Sequence, residues 1–196
     1  MRDPKVYRQG IQMFYHLFRT IEECLYSEIA KDTRYSAMLS SIWKPSLART
    51  DKLYQDLMFF YHEQPEKFSC PILKQQVQSV QHIRDVTAER PYLLLAYMHV
   101  LYLALFAGGR IMSSQVARSL NLFPQMEGKS FDEVAAMGTN LYRFEVDDPT
   151  ELRMIYKRDY ELQTRNFLTE KEKEEVIQES KIAFDITIQI KLPGDN

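Results

Sequence analysis

The chain has 196 residues, a mass of 23.2 kDa and a formal net charge of -2, which leaves room for one ordinary domain and excludes a generally basic, nucleic-acid-binding surface. With 45% hydrophobic and 27% charged residues, and only 6 Gly and 8 Pro, the disordered, collagenous and low-complexity classes are excluded as well. The two cysteines, Cys24 and Cys70, are too few for a disulfide framework, and no basic-then-apolar secretory segment opens the chain, so a reducing, cytoplasmic home is expected.

The low Gly and Pro counts favour an all-α fold, because strand-rich domains of this size need more turn residues. From Val6 to Ile29, Ile11, Phe14, Phe18, Ile21, Leu25 and Ile29 recur at three- and four-residue steps, the pattern of one long amphipathic helix. A second helical stretch is predicted after Pro45 (Leu47, Leu53, Leu57, Phe60) and a third after Pro71 (Leu73, Val77, Val80, Ile83), proline being tolerated in a first helical turn. The run PYLLLAYMHVLYLALFA from Pro91 to Ala107 is apolar on almost every side. It is shorter than the roughly 20 residues of a membrane span, so a buried central helix is expected. That helix meets Gly108-Gly109, where a glycine-permitted bend or a close backbone approach is predicted, and resumes as IMSSQVARSLNLF.

Three capping boxes mark later helix starts: Ser130 with Glu133, Asp148 with Glu151, and Thr169 with Glu172. GTNLYRFEVD, from Gly138 to Asp147, reads as an extended connection. The closing segment starts strongly helical but alternates at Ile186, Ile188 and Ile190. It is kept helical because no other strand offers it a partner. The charged run Glu170 to Glu175 reads as a solvated face, and residues 1–196 as one domain without repeat or linker.

The four histidines, His16, His62, His82 and His99, show no short metal-ligand spacing, and no metal site is expected. Dinucleotide, P-loop and hydrolase motifs are absent. His99 stands out inside the most apolar helix, where it either satisfies one core hydrogen bond or faces a ligand pocket. Gly108-Gly109 either ends a helix or lets a flat ligand rest on bare backbone. Arg153 and Lys157, four apart, share a helix face that is either simply solvated or able to clamp an anion.

Taken together, HVLYLALFAGGRIMSSQVARSL resembles the glycine-bent distal helix of haem oxygenases. VYRQGIQMFYHLFRTIEECLYSEI resembles that family's second helix, GTNLYRF its connection before the penultimate helix, RMIYKRDYEL its basic haem-edge segment and EEVIQESKIAFDITIQI its closing helix. The fungal branch is the most similar. The resemblance implies a single-domain, all-α helical bundle that opens haem, both substrate and cofactor, to biliverdin with release of CO and ferrous iron. Electrons would come from an NADPH-cytochrome P450 reductase. Carried over residue by residue, it implies haem-binding roles for Gly108, Gly109, Arg153, Lys157, His99 and Phe184.

Leu105 stands where animal and bacterial members carry a distal aspartate, and Thr187 where an asparagine is common. No residue aligns with the proximal histidine, so the family's first helix is expected to be missing and no catalytic residue is assigned. Two further readings stay open. One is a haem- or porphyrin-binding protein without ordinary iron ligation; the other is a scaffold-sharing helical enzyme with other chemistry, such as a thiaminase-like or di-iron relative, the di-iron version being disfavoured by the aliphatic and aromatic core stripes. A cytoplasmic protein would associate with the endoplasmic reticulum only through a C-terminal anchor, which KLPGDN does not provide.

Overall fold

A computed structural model describes residues 4–118 and 122–189, and among these the regular structure is helical throughout. The first helix, α1 (Pro4–Ile29), buries Ile11, Phe18, Ile21 and Leu25 of the stripe that the sequence predicts, with Phe14 and Ile29 partly buried beside them, and Leu17 in addition. It lies against α2 (Arg34–Ile42), α3 (Thr50–Phe60) and α4 (Lys74–Glu89). The short α2 has no predicted counterpart. Thr33 caps it by accepting from Ser36 N at 3.2 Å, and the Ser36 hydroxyl accepts from Thr33 N in return. Pro45–Leu47 is a separate 3₁₀ turn, so the stretch predicted after Pro45 begins as α3 only at Thr50.

The apolar run becomes the central rod. A 3₁₀ turn at Pro91–Leu93 leads into α5 (Leu94–Tyr97), a π-helical turn over Met98–Tyr102, and α6 (Leu103–Ala117). Residues 93–98 are essentially inaccessible to water. Among the described residues, Pro91–Gly108 is the one helical stretch long and apolar enough to cross a membrane by composition, and half of it is buried inside the protein. The irregularity expected at Gly108-Gly109 lies earlier, at the π turn, while α6 continues through both glycines. The resumed segment is helical to Ala117, and residues 119–121 lie outside the described residues.

The chain then forms α7 (Phe131–Met137), α8 (Pro149–Phe167) and α9 (Glu170–Gln189). The boxes at Ser130 and Thr169 form as predicted: Ser130 N and Thr169 N each reach the partner glutamate at 2.7 Å. Asp148 caps instead through Thr150 N at 2.8 Å. Gly138–Asp147 is not wholly extended, because Asn140–Tyr142 closes a 3₁₀ turn. The alternating isoleucines stay helical through Ile188, and Ile190 lies outside the described residues.

The charged run of α9 is solvated at Glu170, Lys171 and Glu174, as expected, but not at Glu172 and Glu175. Glu172, Glu175 and Glu179 share a stripe and accept hydrogen bonds from Tyr35, Tyr92 and Tyr97, so carboxylates on one helix are latched to hydroxyls on three other segments. Arg34 adds an ion pair to Glu172 at 3.0 Å, and the His82 ring Nε2 lies 2.8 Å from Glu179.

Candidate ligand cavity

The π turn and α6 form one wall of a cavity of about 550 Å³. The facing walls come from Phe14 and Phe18 of α1, Leu141 and Tyr142 of the 3₁₀ turn, and Phe184 and Thr187 of α9. A groove of about 1,050 Å³ between α8 and α9 adjoins it, and His99, Val100 and Phe184 line both spaces. Three of the residues singled out by the resemblance, His99, Gly108 and Phe184, are therefore brought together. Gly109 is the next residue of α6, but its surroundings lie outside the described residues.

The wall chemistry is apolar with few polar interruptions. Among the described residues, a Cβ placed on Gly108 would meet nothing within 4 Å, so the bare backbone faces open space and a flat ligand can approach it closely. Leu105 lines the same wall, and among the described residues no cavity-lining side chain is acidic. Thr187 spends its hydroxyl proton on Phe184 O at 2.7 Å. Desolvation holds the His99 imidazole below its ordinary pKa, which favours a neutral ring at neutral pH; that ring lies 5.4 Å from the ring of Tyr160. Cys24 and Cys70 are free thiols, and no described cluster of His, Cys, Asp and Glu could hold a metal ion.

Arg153 and Lys157 do not line the cavity. Both are exposed on α8, and Lys157 lies 4.0 Å from Glu161. Arg153, Lys157, Glu161 and Arg165 nevertheless succeed one another at four-residue steps, and the last two line the groove. The stripe that carries Arg153 and Lys157 thus runs along α8 to the groove.

Sequence reasoning missed the buried polar groups behind the wall. Arg49 is 1% exposed, and its guanidinium donates to the carbonyls of Ser46, Leu47, Ala48, Leu141 and Arg143 at 2.6–3.1 Å while lying 4.3 Å over Phe144. Asp56, wholly buried, accepts from Asn140 N, Asn140 Nδ2 and Leu141 N at 2.7–2.9 Å. Burial outweighs those donors and raises its carboxyl to about 6. Both groups fix the Leu141–Tyr142 wall. The readable signal was GTN: Gly138 packs where a Cβ would lie 2.8 Å from Phe60, and Asn140 is the partner of Asp56.

Comparison with known proteins agrees with this arrangement. The heme-binding protein of Saccharomyces cerevisiae is 35% identical over 208 residues, covering 97% of this chain and 65% of its own length. Heme oxygenase 2 of Synechocystis is 28% identical over 138 residues, covering 70% of this chain and 52% of its own length. The chain thus spans between half and two thirds of these relatives. The solved heme oxygenase of Leptospira interrogans superposes with a TM-score of 0.77 at 27% identity, covering 96% of this chain and 82% of that one. The family model described as Heme oxygenase matches residues 2–191, and the chain belongs to the heme oxygenase family.

Proposed function

We propose that the cavity binds haem and that the chain is the body of a haem oxygenase, which cleaves haem to biliverdin, CO and ferrous iron with electrons from an NADPH-cytochrome P450 reductase. The observation that carries this reading is the bare backbone of Gly108 in an apolar cavity, because a flat macrocycle needs both contact with backbone and walls free of charge. The volume of about 550 Å³ lies inside the ordinary range for cofactor pockets, about 300–1,000 Å³. Cytoplasmic residence is part of the proposal and suits the two free thiols.

Bound haem supplies the iron and the oxygen chemistry of the reaction. The chain's own residues bind and orient it. Phe14, Phe18 and Phe184 enclose the apolar faces and exclude water. Gly108, with Gly109 beside it, supplies the floor. His99 offers a polar ring at the junction of cavity and groove, and Arg153 and Lys157 pair with carboxylates reaching out along α8.

A second reading, haem binding without turnover, is favoured by the wall around Leu105, which among the described residues offers no carboxylic acid next to the ligand. The name of the yeast relative, a heme-binding protein, is compatible with either reading. Haemin titration followed by NADPH and a P450 reductase separates them. Growth of biliverdin absorbance with CO release is expected for the oxygenase; stable haem without turnover establishes the second reading, and no Soret shift on titration overturns both.

A further inference from the structure

Beyond its opening 3₁₀ turn, from Leu94 to Ala117, the central rod leaves α-helical geometry at one place, Met98–Tyr102. π turns are rare and cost regular hydrogen bonding, so a persistent one needs outside support. Here that support comes from α8. Tyr156 and Tyr160, one turn apart on the same face, donate to Met98 O at 2.9 Å and to Leu95 O at 2.8 Å. Tyr156 is fully buried, and burial raises both hydroxyls above their ordinary pKa, so each remains a donor across the physiological range.

The two acceptors lie before and at the start of the widened turn, and His99 and Val100 lie within it. Those two residues line both the cavity and the groove. One extra residue in a turn rotates the downstream helix by about 100° relative to an uninterrupted α-helix. The phase of the turn therefore decides whether His99 faces the ligand space or the packed side of the rod. The ring of Tyr160, 5.4 Å from that of His99, holds the imidazole from the α8 side.

We infer that Tyr156 and Tyr160 are positioning residues of the ligand cavity, whose hydroxyls lock the π turn in the register that presents His99 and Val100 to the ligand. The inference rests on the cavity being the ligand site. Losing both hydroxyls removes the bonds that hold Leu95 O and Met98 O to α8, so the wide turn is free to shift along the rod, which carries His99 away while the helix survives.

The test uses the full chain with Tyr156→Phe, Tyr160→Phe and the double variant. Tyr35→Phe serves as a control that loses a hydroxyl bond at Glu172, away from the cavity. The His99 imidazole resonances are followed by NMR, and haemin is titrated by its Soret band. The double variant is expected to keep its helical circular dichroism, to move the His99 signals and to bind haemin about fivefold more weakly or worse, the worth of one hydrogen bond; Tyr35→Phe should leave the His99 signals in place. Unmoved His99 signals in folded Tyr160→Phe and double variants overturn the inference, as does an equal shift in the Tyr35 control. If the double variant does not fold, Tyr160→Phe alone decides. Absence of any Soret shift in the wild type refutes the haem reading, and the NMR signals then judge the positioning role separately.

Discussion

The hydroxyl of Tyr102 donates to Oε1 of Glu22 at 2.9 Å, joining the last residue of the π turn to the middle of α1 through a bond fully shielded from water. Glu22 also accepts from Arg49 N at 2.6 Å and from Thr50 N and Oγ1 at 3.2 and 2.5 Å. One carboxylate therefore ties together α1, the start of α3 and the rod. Burial raises its pKa, and the donors oppose that shift.

Glu22→Ala is expected to cost about 3 kcal/mol in urea denaturation, since it strands several buried donors at once. Glu22→Gln should cost less, because the amide keeps one acceptor oxygen, but it turns an NH₂ group toward donors. Equal stability of Glu22→Ala and wild type would refute a structural role for this junction.

Arg49 closes the opposite side of the same region. Arg49→Lys is expected to recover little of the loss seen in Arg49→Met, because an ammonium has neither the five-donor fork that meets the five carbonyls nor the flat face that covers Phe144. Both variants should lose about 3 kcal/mol of stability and weaken haemin binding, as the Leu141–Tyr142 wall is released. A lysine variant as stable as wild type would show that charge alone suffices.

The glycines give opposite expectations. Gly138→Ala should destabilise by about 1–3 kcal/mol, since its Cβ would lie 2.8 Å from Phe60 and 3.0 Å from both Phe59 and Phe123. Gly108→Ala has open space and removes a glycine from a helix interior, so it should raise stability by about 1 kcal/mol. The same substitution should weaken haemin affinity by putting a methyl on the ligand floor. Gained stability with unchanged affinity would show that haem does not rest on Gly108.

Much of the bundle was legible because its signals are local. The long stripe of α1, the Ser130 and Thr169 boxes and the apolar rod each arise from residues within a few turns of one another. The π turn was not legible, since MHVLY contains no glycine or proline and its support comes from Tyr156 and Tyr160, more than fifty residues later. Glu172 and Glu175 within the charged run misled for the same reason: their tyrosine partners, Tyr35 and Tyr92, lie far away in sequence, and a charge run alone reads as solvated. At the site, the resemblance supplied His99, Gly108 and Phe184, whereas Arg49, Asp56 and Glu22 behind the wall carry no motif.

Arg153→Ala combined with Lys157→Ala is expected to weaken haemin binding by about tenfold without abolishing it, because both cations are exposed and act only on the ligand's carboxylates. High salt should shrink the difference between variant and wild type. A salt-independent difference would point to lost packing on α8 instead.

His16 provides the last test, in the pH dependence of stability. It is 2% exposed, its Nε2 has no hydrogen-bond partner among the described residues, and desolvation lowers its pKa from 6.5 to about 4. Between those values the unfolded chain binds the proton and the folded chain does not, so stability from this residue is complete above pH 6.5 and is lost as pH falls toward 4. The full span amounts to about 3 kcal/mol. Asp56 runs the other way in the same window, because its carboxyl, raised from 3.8 to about 6, favours the folded state in acid. The two slopes offset each other in the wild-type curve, so only a difference curve is diagnostic. His16→Leu, which also removes the unpaired nitrogen, should be more stable than wild type at pH 4.5 and lose that advantage steadily toward pH 7. A difference that stays constant over this range would mean that His16 is protonated equally in the folded and unfolded chain.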